Sequence, residues 1–283
     1  MKTIKVKTPA KINLTLEILN KRDDGFHNIQ SIMQTVSLFD FLTFNIHENS
    51  INEIILSGNS EEIPYDERNI VYKAIKNFLD KSNVGNKKIE VYIDKHIPVS
   101  AGLAGGSTNA AGTLYALNKI LDEPLSKQEM EELCAKMGSD LNFCLNGGCM
   151  LCTSRGEITE SLPFYESDVC IIKPKNLGIS AKEAYTKFAL LKDKSNPNNT
   201  AKMVKLLKQN KFDSSLIYNS FEKVLFPDYK ELSYIKNTVN GSLMSGSGSS
   251  FFVLKSALEN DLNRSQYDIF EGLKTIPYGV QEV

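Results

Sequence analysis

The 283-residue sequence carries no surplus of charge: 33 Lys and Arg stand against 34 Asp and Glu, a formal net charge of −1. Without a global field the chain is not drawn to nucleic acid or to an anionic membrane, and a phosphorylated ligand would need a local site. Long apolar runs are also missing. The amino-terminal stretch Met1-Lys-Thr-Ile-Lys-Val-Lys-Thr-Pro-Ala-Lys11 interrupts its apolar residues with charges where a signal peptide needs an unbroken segment, and no run is long enough to cross a bilayer. A cytoplasmic protein is expected. The five cysteines are an odd number, which argues against a disulfide framework and for reduced thiols. Cys149-Met-Leu-Cys152 has zinc-like spacing, yet it lies in an apolar run that reads as a strand, where an odd separation turns the two thiols to opposite faces. Buried core cysteine is the favoured reading.

Also absent are a linker rich in Pro, Gly or Ser and any repeat of solenoid length, and Ser195-Asn-Pro-Asn-Asn199 reads as a surface loop. Hydrophobic residues make up 41% and charged residues 24%, ordinary globular usage with no disordered stretch. The length suits two intimately packed lobes, expected at residues 1–155 and 156–283. Nothing points to an obligate protein partner.

What is present begins with alternating apolar residues, Ile4 and Val6, then Ile12, Leu14 and Leu16, and a turn signal at Asp23-Asp24-Gly25, which predict a β-hairpin-rich start. Ile70, Val71, Ala74, Ile75, Phe78 and Leu79 recur at helical spacing, and Ile89, Val91 and Ile93 then alternate as a strand. That strand runs into Pro98-Val99-Ser100-Ala101-Gly102-Leu103-Ala104-Gly105-Gly106-Ser107. A helix with the stripe Ala110, Leu114, Leu117 and Leu121 follows, and the next opens with a capping box at Ser126 and Glu129 and closes at Gly138. Asp140 falls just past that helix end. Beyond residue 155 a strand over Val169 to Ile172, helices from Ser180 and Thr200, and a small-residue turn against a strand are expected.

A glycine-rich loop between a strand and a helix brings backbone N–H groups to the positive helix end, an anion-binding design. It is not a Walker A loop, since no Lys follows the glycines. Ser107 and Thr108 could cap the helix, and a hydroxyl there can also reach a phosphate-bound magnesium ion. Lys11 and Asn13 share the strand face opposite Ile12 and Leu14. Taken alone, Lys11 is a solvated lysine and Asp140 a loop carboxylate.

Three segments in this order, Pro9-Ala-Lys-Ile-Asn-Leu14, the loop from Pro98 to Ala111, and Ser242-Leu-Met-Ser-Gly-Ser-Gly248, together resemble the GHMP kinases. Asp24-Gly25-Phe26-His27 and Gly138-Ser-Asp140 resemble the branch that phosphorylates the 2-hydroxyl of 4-diphosphocytidyl-2-C-methyl-D-erythritol for non-mevalonate isoprenoid synthesis. The resemblance implies an α+β fold with an amino-terminal lobe of the ribosomal-protein-S5-like type, a ferredoxin-like carboxy-terminal lobe, and ATP with Mg²⁺ meeting the substrate at the seam. By the same resemblance Asp140 accepts the hydroxyl proton, and Lys11 stabilises its charge and that of the reacting oxygen. The loop through Thr108 would hold the triphosphate. Phe26 would stack on cytosine, His27 would read the base edge, and Tyr185 would form the opposite wall. Asn13 is implied for the polyol or phosphates, and Lys95 for ATP. Ala104 and Asn109 depart from the pattern, where Gly and Asp are common. A kinase for another small alcohol, or a nucleotide-binding regulator without catalysis, are the alternatives.

Overall fold

Two long antiparallel strands, β1 (Lys2–Lys21) and β2 (His27–Glu48), organise the molecule. The computed structural model describes residues 1–258 and 262–283. The turn between the strands carries Gly25 at φ 87°, and the Asp24 carboxylate accepts the Phe26 N–H at 3.1 Å. Register shifts at Pro9/Ala10 and Asn13/Thr15 break the pairing, as bulges do, and β2 changes neighbours along its length. Next along the chain come β3 (Glu53–Gly58), α1 (Ile70–Ser82), β4 (Lys87–Asp94), α2 (Gly105–Ile120), α3 (Lys127–Met137), α4 (Leu141–Asn146), β5 (Cys149–Ser154) and β6 (Ile158–Ser161). Phe41–Glu48 of β2 pairs with β4, whereas Ile29–Gln34 pairs with β5.

After β7 (Asp168–Pro174) follow α5 (Ala181–Ala189), α6 (Asn199–Leu207), β8 (Tyr218–Asn219), α7 (Glu222–Leu225), α8 (Lys230–Thr238), β9 (Leu243–Met244), β10 (Phe251–Val253), β11 (Tyr267–Lys274) and β12 (Gln281–Glu282). The second sheet has the order β11-β7-β10-β9, while β8 and β12 return to pair with β1 in the first. The result is an α+β, two-lobed architecture. Among the described residues no helix is long and apolar enough to cross a membrane.

Alternation explains the packing. Val6, Phe44, Val91 and Ile93 turn one face of the first sheet toward Ile75 and Phe78 of α1 and Leu114 and Leu117 of α2. The inner half of the hairpin is enclosed by the second lobe: Leu16, Ile18 and Ile29 pack with Phe188, Phe221 and Phe251, while Ile12, Leu14 and Ile32 pack with Ile171, Met203 and Phe252. Cys149 and Cys152 join different clusters, as odd spacing on a strand requires. All five thiols are free and buried, and no His, Cys, Asp or Glu cluster suited to a metal occurs among the described residues.

The capping box of α3 forms as predicted, with Ser126 and Glu129 bonded reciprocally and Gly138 as the C-cap. The start of α2 differs from the reading of Ser107 and Thr108 as caps. Its N-cap is Ala104, at φ 58° and with no side-chain cap bond, and the helix begins at Gly105. Ser107 and Thr108 are therefore its third and fourth residues, too deep to cap it. Helical bonding opens with the Thr108 N–H to the Ala104 carbonyl, at 2.9 Å, so the N–H groups of Gly105, Gly106 and Ser107 have no intrahelical partner.

Candidate active site

The three motif segments, distant in sequence, converge on one another. The Lys11 N–H donates to the Leu103 carbonyl at 3.1 Å, the Ser250 N–H to the Ala101 carbonyl at 3.1 Å, and the Ser245 hydroxyl to the Gly102 carbonyl at 3.0 Å. Gly102 has φ +74°, and a Cβ there would lie 2.0 Å from the Ser245 carbonyl oxygen. Only glycine suits both demands. A Cβ on Gly246 would likewise come within 3.1 Å of Lys11 Nζ, so the distal turn packs directly against the lysine.

Lys11 is 4% exposed, not the solvated lysine that its local sequence suggests. Its ammonium donates to Asn13 Oδ1 at 2.7 Å and stands 3.8 Å from Asp140 Oδ2. Asn13 is fixed in turn by donating to Ser31 Oγ at 2.8 Å. Asp140 occupies the N-cap position of α4, but its side chain makes no cap bond. The carboxylate is thus positioned by a helix start that makes no use of it, and its side chain stays 28% exposed.

Lys11, Asn13 and Asp140 line a cavity of about 1040 Å³ together with all of Pro98–Ser107. The start of α2, Ile63, Pro64 and Asn69 also line it, as do Phe26, His27, Arg155 and Tyr185. A helix N-terminus with unpartnered amides attracts a phosphate chain, and the aromatic side suits a flat base. Thr108 alone among the predicted loop residues does not line the cavity; it is fully buried and its Oγ1 has no hydrogen-bond partner. Lys95 does line it, but as a buried group held by Asp40 at 2.6 Å and by the Ile97 carbonyl at 2.7 Å.

The aromatic side is arranged differently from two rings facing each other. Tyr185 stacks on His27, with centroids 5.4 Å apart and an interplanar angle of 15°, and meets Phe221 edge-on. Phe26 is 51% exposed and carries the Arg155 guanidinium 5.0 Å from its ring centroid, a cation–π contact. Burial, with the charges of Lys194 and Lys21, holds His27 below the ordinary imidazole range. Its Nε2 is buried with no hydrogen-bond partner, an orphaned polar atom at the cavity wall. Burial and then the Asp140 charge raise the Tyr185 phenol.

Sequence reasoning missed Arg155, whose turn after β5 gave no signal of the aromatic ring it would meet. It also missed Asp40, one residue in a long strand. Asn69 was legible in principle: an Asn just before a helical stripe is a capping signal, and its Oδ1 accepts the Val71 N–H at 2.9 Å.

The model of the GHMP kinases N terminal domain matches residues 69–152. The chain is 40% identical over 263 residues to a 4-diphosphocytidyl-2-C-methyl-D-erythritol kinase of Clostridioides difficile, covering 90% of this chain and 87% of that one. With the enzyme of the same name from Clostridium botulinum it shares 39% identity over 254 residues, covering 87% and 89%. A crystal structure of 4-(cytidine 5'-diphospho)-2C-methyl-D-erythritol kinase superimposes with a TM-score of 0.74 at 24% identity, covering 96% of this chain and 100% of that one. Identity at this level across nearly the full length, with the shared fold, places the chain in the 4-diphosphocytidyl-2-C-methyl-D-erythritol kinase family of the GHMP kinases.

Proposed function

We propose that this protein transfers the γ-phosphoryl group of ATP to the 2-hydroxyl of 4-diphosphocytidyl-2-C-methyl-D-erythritol, a step of non-mevalonate isoprenoid synthesis. The observation that carries the proposal is the uncapped Asp140 carboxylate, 3.8 Å from Lys11, in one cavity with the uncapped start of α2. Phosphoryl transfer asks a protein mainly for positioning and charge compensation. The amides of Gly105, Gly106 and Ser107 bind the triphosphate, and Asn69 with Pro64 walls the nucleoside side. As the acceptor oxygen bonds to the γ-phosphorus, its proton passes to Asp140 and ADP departs. Lys11 offsets the negative charge gathered there.

Magnesium fits as an ion carried by the nucleotide: Ser107, half-buried at the third position of α2, offers a hydroxyl beside the phosphates. When bound, the ion would neutralise phosphate charge. His27 lines the cavity and reads the base edge, with Tyr185 stacked on it to hold the imidazole plane. Phe26, backed by Arg155, offers a ring to the base.

ADP release measured with the cytidyl substrate beside mevalonate, homoserine and galactose tests the reading. Turnover confined to the cytidyl substrate supports it. A preference for one of the other alcohols would reassign the acceptor, and ATP binding without acceptor-dependent ADP release across the panel would make the chain a nucleotide-binding regulator.

A further inference from the structure

Beneath the loop lies a buried carboxylate to which the proposed reaction gives no part. Asp40, on β2, has no solvent exposure and does not line the cavity. Its Oδ1 accepts the backbone N–H groups of His96 and Ile97, each at 2.7 Å. Its Oδ2 accepts Lys95 Nζ at 2.6 Å and Asn109 Nδ2 at 2.9 Å. These bonds occupy the acceptor sites of the group and tie together three pieces of chain: β2, the 95–97 segment that leads into the loop, and α2.

Lys95 also stands very near the phosphate-binding amides. A Cβ on Gly105, the first residue of α2, would lie 2.7 Å from Lys95 Nζ. An ammonium is therefore buried against the positive end of a helix dipole, an unfavourable pairing unless an anion accompanies it. Burial lowers the Lys95 pKa, and the charge of Asp40 opposes that shift. The carboxylate supplies the anion.

We infer that Asp40 is a positioning residue of the nucleotide site, clamping the 95–97 segment to α2 and balancing Lys95 so that the amides of Gly105–Ser107 keep a fixed geometry for phosphate. The inference rests on the proposed ATP site. Two effects of losing the carboxylate oppose each other. Removing a negative charge favours an incoming triphosphate by long-range attraction. An amide at position 40, however, sets its NH2 against two other donors in either orientation, Lys95 Nζ and Asn109 Nδ2 or the N–H groups of His96 and Ile97, which cannot all remain at 2.6–2.9 Å. Loss of geometry outweighs the gain in charge, because the amides bind phosphate only from the right positions.

The network requires one carboxylate, and it can stand on either side. Lys95 and Asn109 donate to the same Asp40 oxygen, so in the double exchange the carboxylate at 109 lies within reach of both the amide at 40 and Lys95, which moves its bond from position 40 to position 109. Asp40→Asn, Asn109→Asp and the double exchange form the test, with ATP affinity measured by calorimetry on the full chain and with acceptor KM and thermal melting followed in parallel. Asp40→Asn removes the anion, and Asn109→Asp crowds two carboxylates around one ammonium. Each single variant should weaken ATP at least tenfold, with acceptor KM within about threefold of wild type, and the double exchange should recover ATP affinity to within about threefold. ATP bound by Asp40→Asn as tightly as by wild type, or more tightly, overturns the inference and leaves the kinase reading intact. A wild-type chain that binds no ATP overturns both. If Asp40→Asn does not fold, the exchange decides: wild-type affinity supports the clamp, and an affinity as weak as that of Asn109→Asp refutes it.

Discussion

Asp140→Asn separates chemistry from binding. The amide keeps the size and planarity of the carboxylate but cannot take a proton, and removal of a general base typically costs about 10²–10⁴ in rate. At about 1.4 kcal/mol per tenfold, the barrier should rise by about 3–6 kcal/mol. The fold has little to lose, since Asp140 makes no side-chain cap bond to α4 and its ion pair with Lys11 is 3.8 Å long and partly open to solvent. Lys11 retains Asn13 Oδ1 at 2.7 Å. A stability loss of about 1 kcal/mol, or about 2–4 °C in Tm, is the expected ceiling. The assay is single-turnover ADP formation at saturating ATP and cytidyl substrate, with ATP affinity and Tm measured on the same preparation. A kcat within threefold of wild type in a folded variant would refute Asp140 as the base. A kcat loss matched by an equal loss of ATP affinity would instead move Asp140 into nucleotide binding.

The two loop glycines should respond differently to valine. A Cβ at Gly105 runs into Lys95 Nζ at 2.7 Å, so Gly105→Val should lower Tm as well as ATP affinity, whereas at Gly106 the nearest atom is an Ile70 methyl at 3.8 Å, so Gly106→Val should melt near wild type and lose ATP affinity alone. Gly102→Ala should destabilise by at least about 2 kcal/mol, combining the 1–2 kcal/mol left-handed backbone penalty with the clash at Ser245, as read by thermal or urea unfolding. His27→Ala should raise KM for the cytidyl substrate by the worth of one hydrogen bond, about 1–3 kcal/mol, with ATP affinity unchanged; an unaltered KM would refute a part for His27 in reading the base. Because the folded His27 pKa lies below its unfolded value near 6.5, its contribution to stability is complete above that pH and is lost as pH falls through the folded value. Acceptor KM should rise over the same acid range, and that slope should vanish in His27→Ala.

Much of the molecule was legible without coordinates wherever one short segment holds all the information. The capping box at Ser126 and Glu129, the alternation of Ile89, Val91 and Ile93, and the hairpin turn at Asp24-Gly25 are local, and each formed where the pattern placed it. The glycine loop read as an anion-binding design for the same reason, since a strand, glycines and a helix start are contiguous in the chain. What the segment could not disclose is how its groups are occupied. Lys11 looks solvated among its neighbours and is buried because Leu103, Gly246 and Asp140 arrive from three other parts of the chain. Tyr185 could be assigned to the base pocket, but its stacking on His27 depends on α5 docking against the start of β2. Lys95, implied for ATP, is held by Asp40, 55 positions away. Alternation and capping thus determined which face each residue takes, because they act over a few bonds. Burial, ion pairing and the vacancy of the Asp140 cap were decided only by tertiary packing, which alone brings distant charges within reach and takes the water from between them.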